Sequence, residues 1–219
     1  MSESALPILY SFRRCPYAMR ARLALAISEQ PCELREVELR NRPEELREVS
    51  PKATVPVVVL PEGRILDESF EIMLWTLQKH DPEGWLAKES LTATTMLVAR
   101  CESEFKPHLD RYKYTNRYEG IDSEEHRELA SHYLRALEDQ LAKTKYLFGS
   151  KRTLADMAIA PFVRQFAFAD RDWFDEQSWT HLRAWLDEFI ATPLFEGVMT
   201  KRAKWEPGST PLIVSWNEP

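Results

Sequence analysis

The sequence predicts a small α/β domain followed by an all-helical domain. Strand-like and helix-like segments alternate over the first eighty residues, and almost every later segment has helical periodicity. Between the two parts, residues 80–86 (HDPEGWL) carry a proline and a glycine that are typical of a linker. We therefore expect domains at residues 1–80 and 89–219, joined by a linker at residues 81–88.

The first domain begins with a predicted strand at residues 7–12 and a helix at residues 16–28. Met19, Leu23 and Ile27 are spaced four residues apart, so they share one apolar face of this helix. Alternating polarity, β-branched runs and further helical patterns predict the remaining elements of a small sheet with helices packed on it. These are strands at residues 32–39, 55–60 and 64–67 and helices at residues 43–49 and 68–79.

The second domain is predicted to be helical throughout. Residues 153–169 are apolar almost continuously, as expected of a helix that is buried on several sides. A tail punctuated by prolines follows the last of these segments. The other predicted helices lie at residues 91–112, 123–143 and 181–191.

Composition and charge disfavour several classes of protein. With 44% hydrophobic and 29% charged residues, the 219-residue chain has the make-up of a globular protein. A formal net charge of −6 disfavours binding to nucleic acid, and the basic and aromatic run at residues 111–118 is too short to reverse this. No segment approaches the roughly 18 apolar residues that a membrane span requires, and the N-terminus lacks a signal-peptide pattern.

The cysteines and histidines point to a reducing compartment and to a site without metal. Three scattered cysteines do not make a disulfide framework, so we expect a cytoplasmic protein. The five histidines have no cysteine or carboxylate at the spacing of metal ligands.

Cys15 is the candidate nucleophile. It follows a predicted strand and directly precedes Pro16, a residue favoured at the first position of a helix. At such an N-cap, free backbone N–H groups and the positive end of the helix dipole favour a thiolate. Thiols in this position have pKa values of roughly 3.5–7.5 instead of about 8.5. Cys32 and Cys101 lack this context, so we expect them to be small core residues.

The neighbours of Cys15 limit the chemistry that it can perform. Arg13, Arg14 and Arg20 add positive charge nearby. A dithiol motif would require a second cysteine at position 18, where this chain has Ala18. A mixed disulfide on Cys15 must therefore be resolved by an external thiol, which points to a small-molecule thiol as co-substrate.

Two further segments could bind such a thiol. If the Val55–Pro56 bond is cis, the backbone of Val55 faces outward and can pair with an extended peptide; if it is trans, Pro56 merely opens a strand. Glu68 and Ser69 precede a helix and could receive the ammonium and the carboxylate of an α-amino acid, or they could form an ordinary helix cap. Spacing alone leaves both alternatives open.

Taken together, these segments resemble the glutathione S-transferase superfamily. Residues 13–18 (RRCPYA), 54–57 (TVPV) and 67–69 (DES) resemble its thioredoxin-like N-terminal domain, and Cys-Pro-aromatic-Ala resembles its omega-like and related bacterial cysteine-type branch. Residues 39–43 (LRNRP) are similar to the Leu-Lys-Asn-Lys-Pro segment of that branch. In the second domain, residues 153–156 (TLAD) resemble the family's capping box, which is a structural motif, although the family has an apolar residue where this chain has Arg152.

The resemblance implies the glutathione S-transferase fold, with a thioredoxin-like domain followed by an all-α domain that contributes the pocket for the second substrate. It also implies glutathione as co-substrate and a homodimer. In such a fold the bond before Pro56 is cis, and the backbone of Val55 pairs with the cysteinyl group of glutathione.

The resemblance assigns the remaining site residues. Glu68 and Ser69 would bind the γ-glutamyl end of glutathione, Arg42 would reach the same peptide, and Tyr17 would line its thiol. Cys15 would be the catalytic residue. No metal is implied.

Three functions are consistent with these residues. We expect a glutathione-dependent thiol transferase, in which the Cys15 thiolate attacks a mixed disulfide or another oxidised or electrophilic centre and glutathione regenerates it. The alternative enzyme conjugates glutathione to an electrophile, with the hydroxyl of Tyr10 or Ser11 as a further candidate activator. The third possibility is a non-catalytic binding protein of the same fold, against which the intact Cys-Pro-Tyr-Ala segment argues.

Overall fold

A computed structural model describes residues 5–216 of the chain and confirms the predicted fold class. The chain forms two compact units, one from the residues up to Glu83 and from Thr192 on, the other from Gly84–Ala191. The predicted helical domain at residues 89–219 differs from this division, because the segment after Ala191 returns to the first unit and adds a helix and a strand there. Residues 1–4 and 217–219 of the predicted domains lie outside the described residues.

The first unit is built on a five-stranded mixed sheet. Its elements are β1 (Ile8–Ser11), α1 (Pro16–Ile27), β2 (Cys32–Glu36), α2 (Glu44–Val49), β3 (Val57–Val59), β4 (Ile65–Leu66), α3 (Ser69–Lys79), α10 (Pro193–Val198) and β5 (Ile213–Val214). The strand order is β4-β3-β1-β2-β5; β1 and β2 are parallel, and the other neighbours are antiparallel.

Two elements of this unit lie outside the predictions, and the four predicted strands are all shorter than predicted. Strand β5 is only two residues long and has no period to detect, but Val214 is buried opposite Cys32. Helix α10 is a six-residue helix that begins at Pro193, within the segment that the prolines mark as irregular. Strand β3 begins after Pro56, which has no N–H to donate to a ladder.

Helix α1 is buried on nearly all sides. Its apolar residues, such as Met19 and Leu23, pack in the interior, and it contacts both α3 and α10. Arg20 and Arg22 are also buried, at 0% and 2% exposure, although the sequence places them off the apolar face. The predicted one-sided helix is therefore an interior helix that carries two buried charges.

The second unit is helical. Its helices are α4 (Leu91–Arg100), α5 (Lys106–Lys113), α6 (Ser123–Leu141), α7 (Leu154–Ala167), α8 (Arg171–Glu176) and α9 (Thr180–Ile190). A π-helical turn at Cys101–Phe105 joins α4 to α5, so the predicted helix at residues 91–112 contains a bulge. Pro107 explains the bulge, because it has no N–H for an ordinary helical bond. Within residues 5–216, no helix is both long and apolar enough to cross a membrane.

The capping box at the start of α7 is confirmed. Asp156 is 1% exposed, and its carboxylate accepts hydrogen bonds from the backbone N–H groups of Thr153 (2.8 Å) and Leu147 (3.0 Å). The indole N–H of Trp185 also donates to it, at 2.9 Å. Burial raises the pKa of Asp156, whereas these donors lower it. The motif joins α7 to its surroundings and is structural.

Candidate functional site

Cys15 occupies the N-cap of α1, as predicted. Its backbone is extended (φ −75°, ψ 123°), and Pro16 is the first helical residue. The sulfur lies 3.6 Å from the carbonyl oxygen of Val55, and the residue is partly exposed. The thiol is therefore accessible and lies where the free N–H groups and dipole of a 12-residue helix favour negative charge.

The other two cysteines are core residues. Cys32 and Cys101 are each 0% exposed. Burial raises the pKa of the Cys32 thiol, which therefore stays protonated. Of the three cysteines, Cys15 alone is placed for reaction.

The Val55–Pro56 peptide bond is cis, so the structure resolves the alternative that spacing left open. Both residues are buried and directly precede β3. The carbonyl oxygen of Val55 faces the sulfur of Cys15. The structure thus brings together the predicted nucleophile and the predicted backbone-pairing residue.

Ser69 is the first residue of α3 and is 4% exposed. Its hydroxyl accepts a hydrogen bond from Nη1 of Arg20 at 3.3 Å, and the Arg20 guanidinium stacks over the ring of Tyr17, 5.6 Å from its centre. These contacts link the first two turns of α1 to the start of α3. A serine, a guanidinium and a helix N-terminus together suit an anionic group such as a carboxylate.

Glu68 is exposed and lies at the N-cap position of α3. Within the described residues its side chain makes no capping hydrogen bond. Its carboxylate instead pairs with Lys52, at 2.7 Å between Nζ and Oε1. Lys52 also lies 3.5 Å from Asp67. Glu68 is therefore available at the surface to a cationic group that can compete with Lys52.

Arg42 lies in the segment between β2 and α2 and is half-buried. Its Nε is shielded from solvent and has no hydrogen-bond partner within residues 5–216. The contacts described above around Cys15 and Ser69 do not include Arg42. Its predicted role toward the same peptide stays a prediction.

Two charged residues near the loop that carries Cys15 were missing from the predicted site: Arg22, which is buried, and Glu36, which is half-buried. The Arg22 guanidinium donates to Ser11 Oγ (2.5 Å) and to the carbonyls of Phe12 (3.4 Å) and Arg13 (2.6 Å), and Glu36 accepts a hydrogen bond from the backbone N–H of Arg13. Burial raises the pKa of Glu36 and lowers the pKa of Arg22 to about 10. For Arg22, the signal in the sequence is a pair of arginines, Arg20 and Arg22, among the apolar residues of α1.

The alternative hydroxyl activators are engaged in other contacts. The phenol oxygen of Tyr10 accepts a hydrogen bond from Arg35 at 2.6 Å, and burial raises the pKa of Tyr10. Ser11 is 0% exposed and accepts from Arg22. Among these groups, Cys15 is the one that combines exposure with a helix N-terminus.

The chain matches two family models over most of its length. The N-terminal domain of glutathione S-transferases matches residues 9–84, and the C-terminal domain of glutathione S-transferases matches residues 97–188.

Two curated proteins are similar to the chain. A probable maleylacetoacetate isomerase of Caenorhabditis elegans is 30% identical over 169 residues, which cover 72% of this chain and 77% of that protein. The probable cytosolic glutathione S-transferase DHAR1 of Oryza sativa subsp. japonica is 23% identical, with 92% of this chain and 88% of that protein covered.

Solved structures of low sequence identity share the fold. A glutathione transferase family member of Pseudomonas fluorescens Pf-5, with two glutathione bound, has a TM-score of 0.78 at 21% identity and covers 91% of this chain and 94% of its own. A glutathione transferase of Pseudomonas putida, with one glutathione disulfide bound per subunit, has a TM-score of 0.78 at 17% identity. The match covers 91% of this chain and 93% of that chain.

We expect iodoacetamide to alkylate Cys15 in the folded protein at pH 7 well before Cys32 or Cys101. The reason is that Cys15 is partly exposed at a helix N-terminus, whereas the other two thiols are buried. Peptide mass spectrometry after brief exposure measures the three rates, and the same reaction in denaturant is the control in which all three should react alike. Equal rates in the folded protein would contradict the assignment.

Proposed function

The chain belongs to the glutathione S-transferase family, and we propose that it is a glutathione-dependent thiol transferase of the cysteine-type branch. The observation that carries this proposal is the placement of Cys15. This residue is partly exposed at the N-terminus of α1, and its sulfur faces the carbonyl oxygen of Val55. The three scattered cysteines do not make a disulfide framework, which suits the reducing cytoplasm in which such an enzyme would work.

The reaction proceeds in two thiol–disulfide exchanges. For a substrate thiol that carries glutathione, the Cys15 thiolate attacks the glutathione sulfur, an S–S bond to Cys15 forms, and the substrate leaves as a thiolate that takes up a proton. A second glutathione, as thiolate, then attacks the mixed disulfide on Cys15. Glutathione disulfide forms, and the Cys15 thiolate is restored. The local sequence offers no second cysteine, so the resolving thiol must come from outside the chain.

Glutathione would bind as an extended peptide along the predicted residues. The Val55 backbone would pair with its cysteinyl group, and Tyr17 would line the sulfur. Ser69 would donate to the γ-glutamyl carboxylate, supported by the buried guanidinium that contacts its hydroxyl. Glu68 would release Lys52 and form an ion pair with the ammonium of the γ-glutamyl end instead.

A second candidate function is the isomerisation of an activated double bond. The similarity to proteins named probable maleylacetoacetate isomerases, from Caenorhabditis elegans and, at 27% identity over 176 residues, from Drosophila melanogaster, favours it. In this reaction the thiolate of glutathione itself would add to the double bond, the new single bond would rotate, and the thiolate would leave. Conjugation of glutathione to an electrophile would use the same thiolate. Neither reaction requires a disulfide on Cys15.

We expect Ser69→Ala to weaken glutathione binding by about 1–3 kcal/mol, because a carboxylate loses a hydrogen bond in a buried corner. Arg42→Ala should cost less, since a long, half-exposed side chain gains little from pairing. Titration calorimetry measures both affinities. Ser103→Ala is the control, because that serine is exposed and its hydroxyl donates to the Ala99 carbonyl at 2.9 Å. Unchanged affinity in Ser69→Ala would show that the binding site is misplaced.

We expect Cys15→Ser to abolish reduction of a glutathione mixed disulfide, because a serine hydroxyl neither ionises usefully nor forms a disulfide. Glutathione binding should persist, since Val55 and Ser69 are unchanged. Conjugation of aryl halides, and isomerisation if it occurs, should persist or rise, because a hydroxyl can hydrogen-bond the glutathione thiolate. Cys101→Ala, which alters a buried thiol, is the matched control and should retain all activities.

The outcomes separate the candidate functions. Full mixed-disulfide reduction by Cys15→Ser would refute the thiol-transferase mechanism. Native protein that isomerises or conjugates but never reduces a mixed disulfide would favour the second candidate. Native protein that binds glutathione without any of these activities would indicate a binding protein.

We also propose a homodimer, on the family resemblance and on the prevalence of twofold oligomers. Each unit has an exposed apolar side chain that an interface could cover: Ile65 on the edge strand β4 (41% exposed) and Met96 on α4 (63% exposed). Sedimentation at micromolar concentration should give twice the chain mass of 25.6 kDa. Ile65→Lys and Met96→Lys should shift the protein toward monomer. A native monomer of 25.6 kDa would refute the proposal.

A further inference from the structure

Arg22 is a buried cation below the loop that carries Cys15. It is 2% exposed, although it is one of the longest side chains of α1. Its Nε donates to the carbonyl of Val198 at 3.0 Å, and one terminal nitrogen lies 3.9 Å from the sulfur of Met199. Its remaining bonds go to three successive residues at the end of β1 and the start of the loop, residues 11–13.

The Arg22 guanidinium and the backbone N–H of Cys15 donate to the same oxygen atom. The carbonyl of Phe12 accepts the backbone N–H of Cys15 at 2.9 Å and Nη1 of Arg22 at 3.4 Å. The same guanidinium holds the next carbonyl, that of Arg13, at 2.6 Å. The position of the Cys15 N-cap therefore depends on the same interactions that satisfy Arg22.

The charge of Arg22 is solvated by neutral groups. Within residues 5–216, its hydrogen-bond acceptors are a hydroxyl and three carbonyls, with the thioether of Met199 as a weaker contact, and none is a carboxylate. The charged groups that act on it are Glu36 on β2, Arg13 in the loop and Cys15. From α10 and the residue after it, only a carbonyl and the thioether face the guanidinium.

We propose that Arg22 is a positioning residue of the Cys15 site: it holds the loop that sets the Cys15 N-cap and directs a buried positive charge toward the sulfur. This inference rests on the proposed function of Cys15 as a thiolate. The electrostatic part follows from reciprocity. Burial lowers the pKa of Arg22, whereas Glu36 and a Cys15 thiolate raise it, and by reciprocity the charged Arg22 stabilises that thiolate.

A purely structural role accounts less well for an arginine at this position. Transfer of a guanidinium from water to a protein interior costs several kcal/mol, and an apolar residue of similar volume is often as stable or more stable. Position 22 lies between the buried residues Ala21 and Leu23, where an apolar side chain would continue the core. The cationic charge therefore needs a use beyond packing, and the nearby thiol provides one.

The pH profile of Cys15 alkylation by iodoacetamide tests the inference. We compare the native protein with Arg22→Met, which removes the charge at similar size, and with Arg22→Lys, which keeps it. Removal of a charge at close range shifts a thiol titration by about one unit or more, so the midpoint in Arg22→Met should rise by about that amount. In Arg22→Lys it should stay within about half a unit of the native value, a smaller effect than loss of the charge. Arg64→Gln, which removes an exposed cation paired with Glu71, is the control and should leave the midpoint unchanged.

Glu36→Gln provides a second measurement that leaves Arg22 in place. The amide keeps an oxygen for the backbone N–H of Arg13 but removes the negative charge that faces Arg22 and opposes the thiolate. The alkylation midpoint should therefore fall. Glu36→Gln retains the buried Arg22. It therefore tests the electrostatic effect on the Cys15 thiolate even if thermal unfolding shows that Arg22→Met does not fold.

The results separate failure of this inference from failure of the proposed function. A native midpoint at about 8.5, the value of a free thiol, would remove the proposed thiolate itself. A low native midpoint that moves equally in Arg22→Met and Arg22→Lys would leave Arg22 a structural residue and overturn the inference. So would a midpoint that is unchanged in folded Arg22→Met, or one that rises or stays constant in Glu36→Gln.

Discussion

A guanidinium that leaves water must find acceptors for up to five N–H groups, and helix α1 carries two such groups within three residues. Arg20 reaches the hydroxyl of Ser69 at the start of α3, and Arg22 reaches the loop after β1 and the carbonyl of Val198 in α10. The requirement to satisfy these buried donors therefore joins α1 to three other parts of the first unit. The N-terminus of α1, with Cys15, is held by the same contacts.

Buried charged groups have different roles in the two units. In the helical unit, the carboxylate of Asp156 is surrounded by donors from its own capping box and from Trp185. Its interactions order the core. In the first unit, the buried guanidinium of Arg22 donates to the Phe12 carbonyl that also accepts the backbone N–H of the partly exposed Cys15. Buried charge thus orders the core in the helical unit, whereas in the first unit we propose that it also stabilises the Cys15 thiolate.

Local signals predicted much of the fold and the centre of the site. Pro16 marks the start of α1 and places Cys15 at its N-cap, and the capping box marks the start of α7. Features that depend on distant contacts could not be predicted in this way. The Arg22–Val198 bond joins residues 176 apart, and two-residue strands such as β5 exist only through their partners. Spacing likewise left the isomer of the bond before Pro56 open, because that choice depends on the folded surroundings.

The return of residues 192–216 to the first unit makes the helical unit an insertion within it. During synthesis on the ribosome, the residues from Gly84 to Ala191 emerge as one continuous stretch and can form their helices as they appear. The sheet, by contrast, is complete only after β5 has been synthesised. Arg22 likewise gains its acceptor on α10 only after Val198 has been synthesised. The synthesis of the first unit begins first and ends last, so a nascent chain that stalls before residue 192 lacks the acceptor that Val198 gives Arg22.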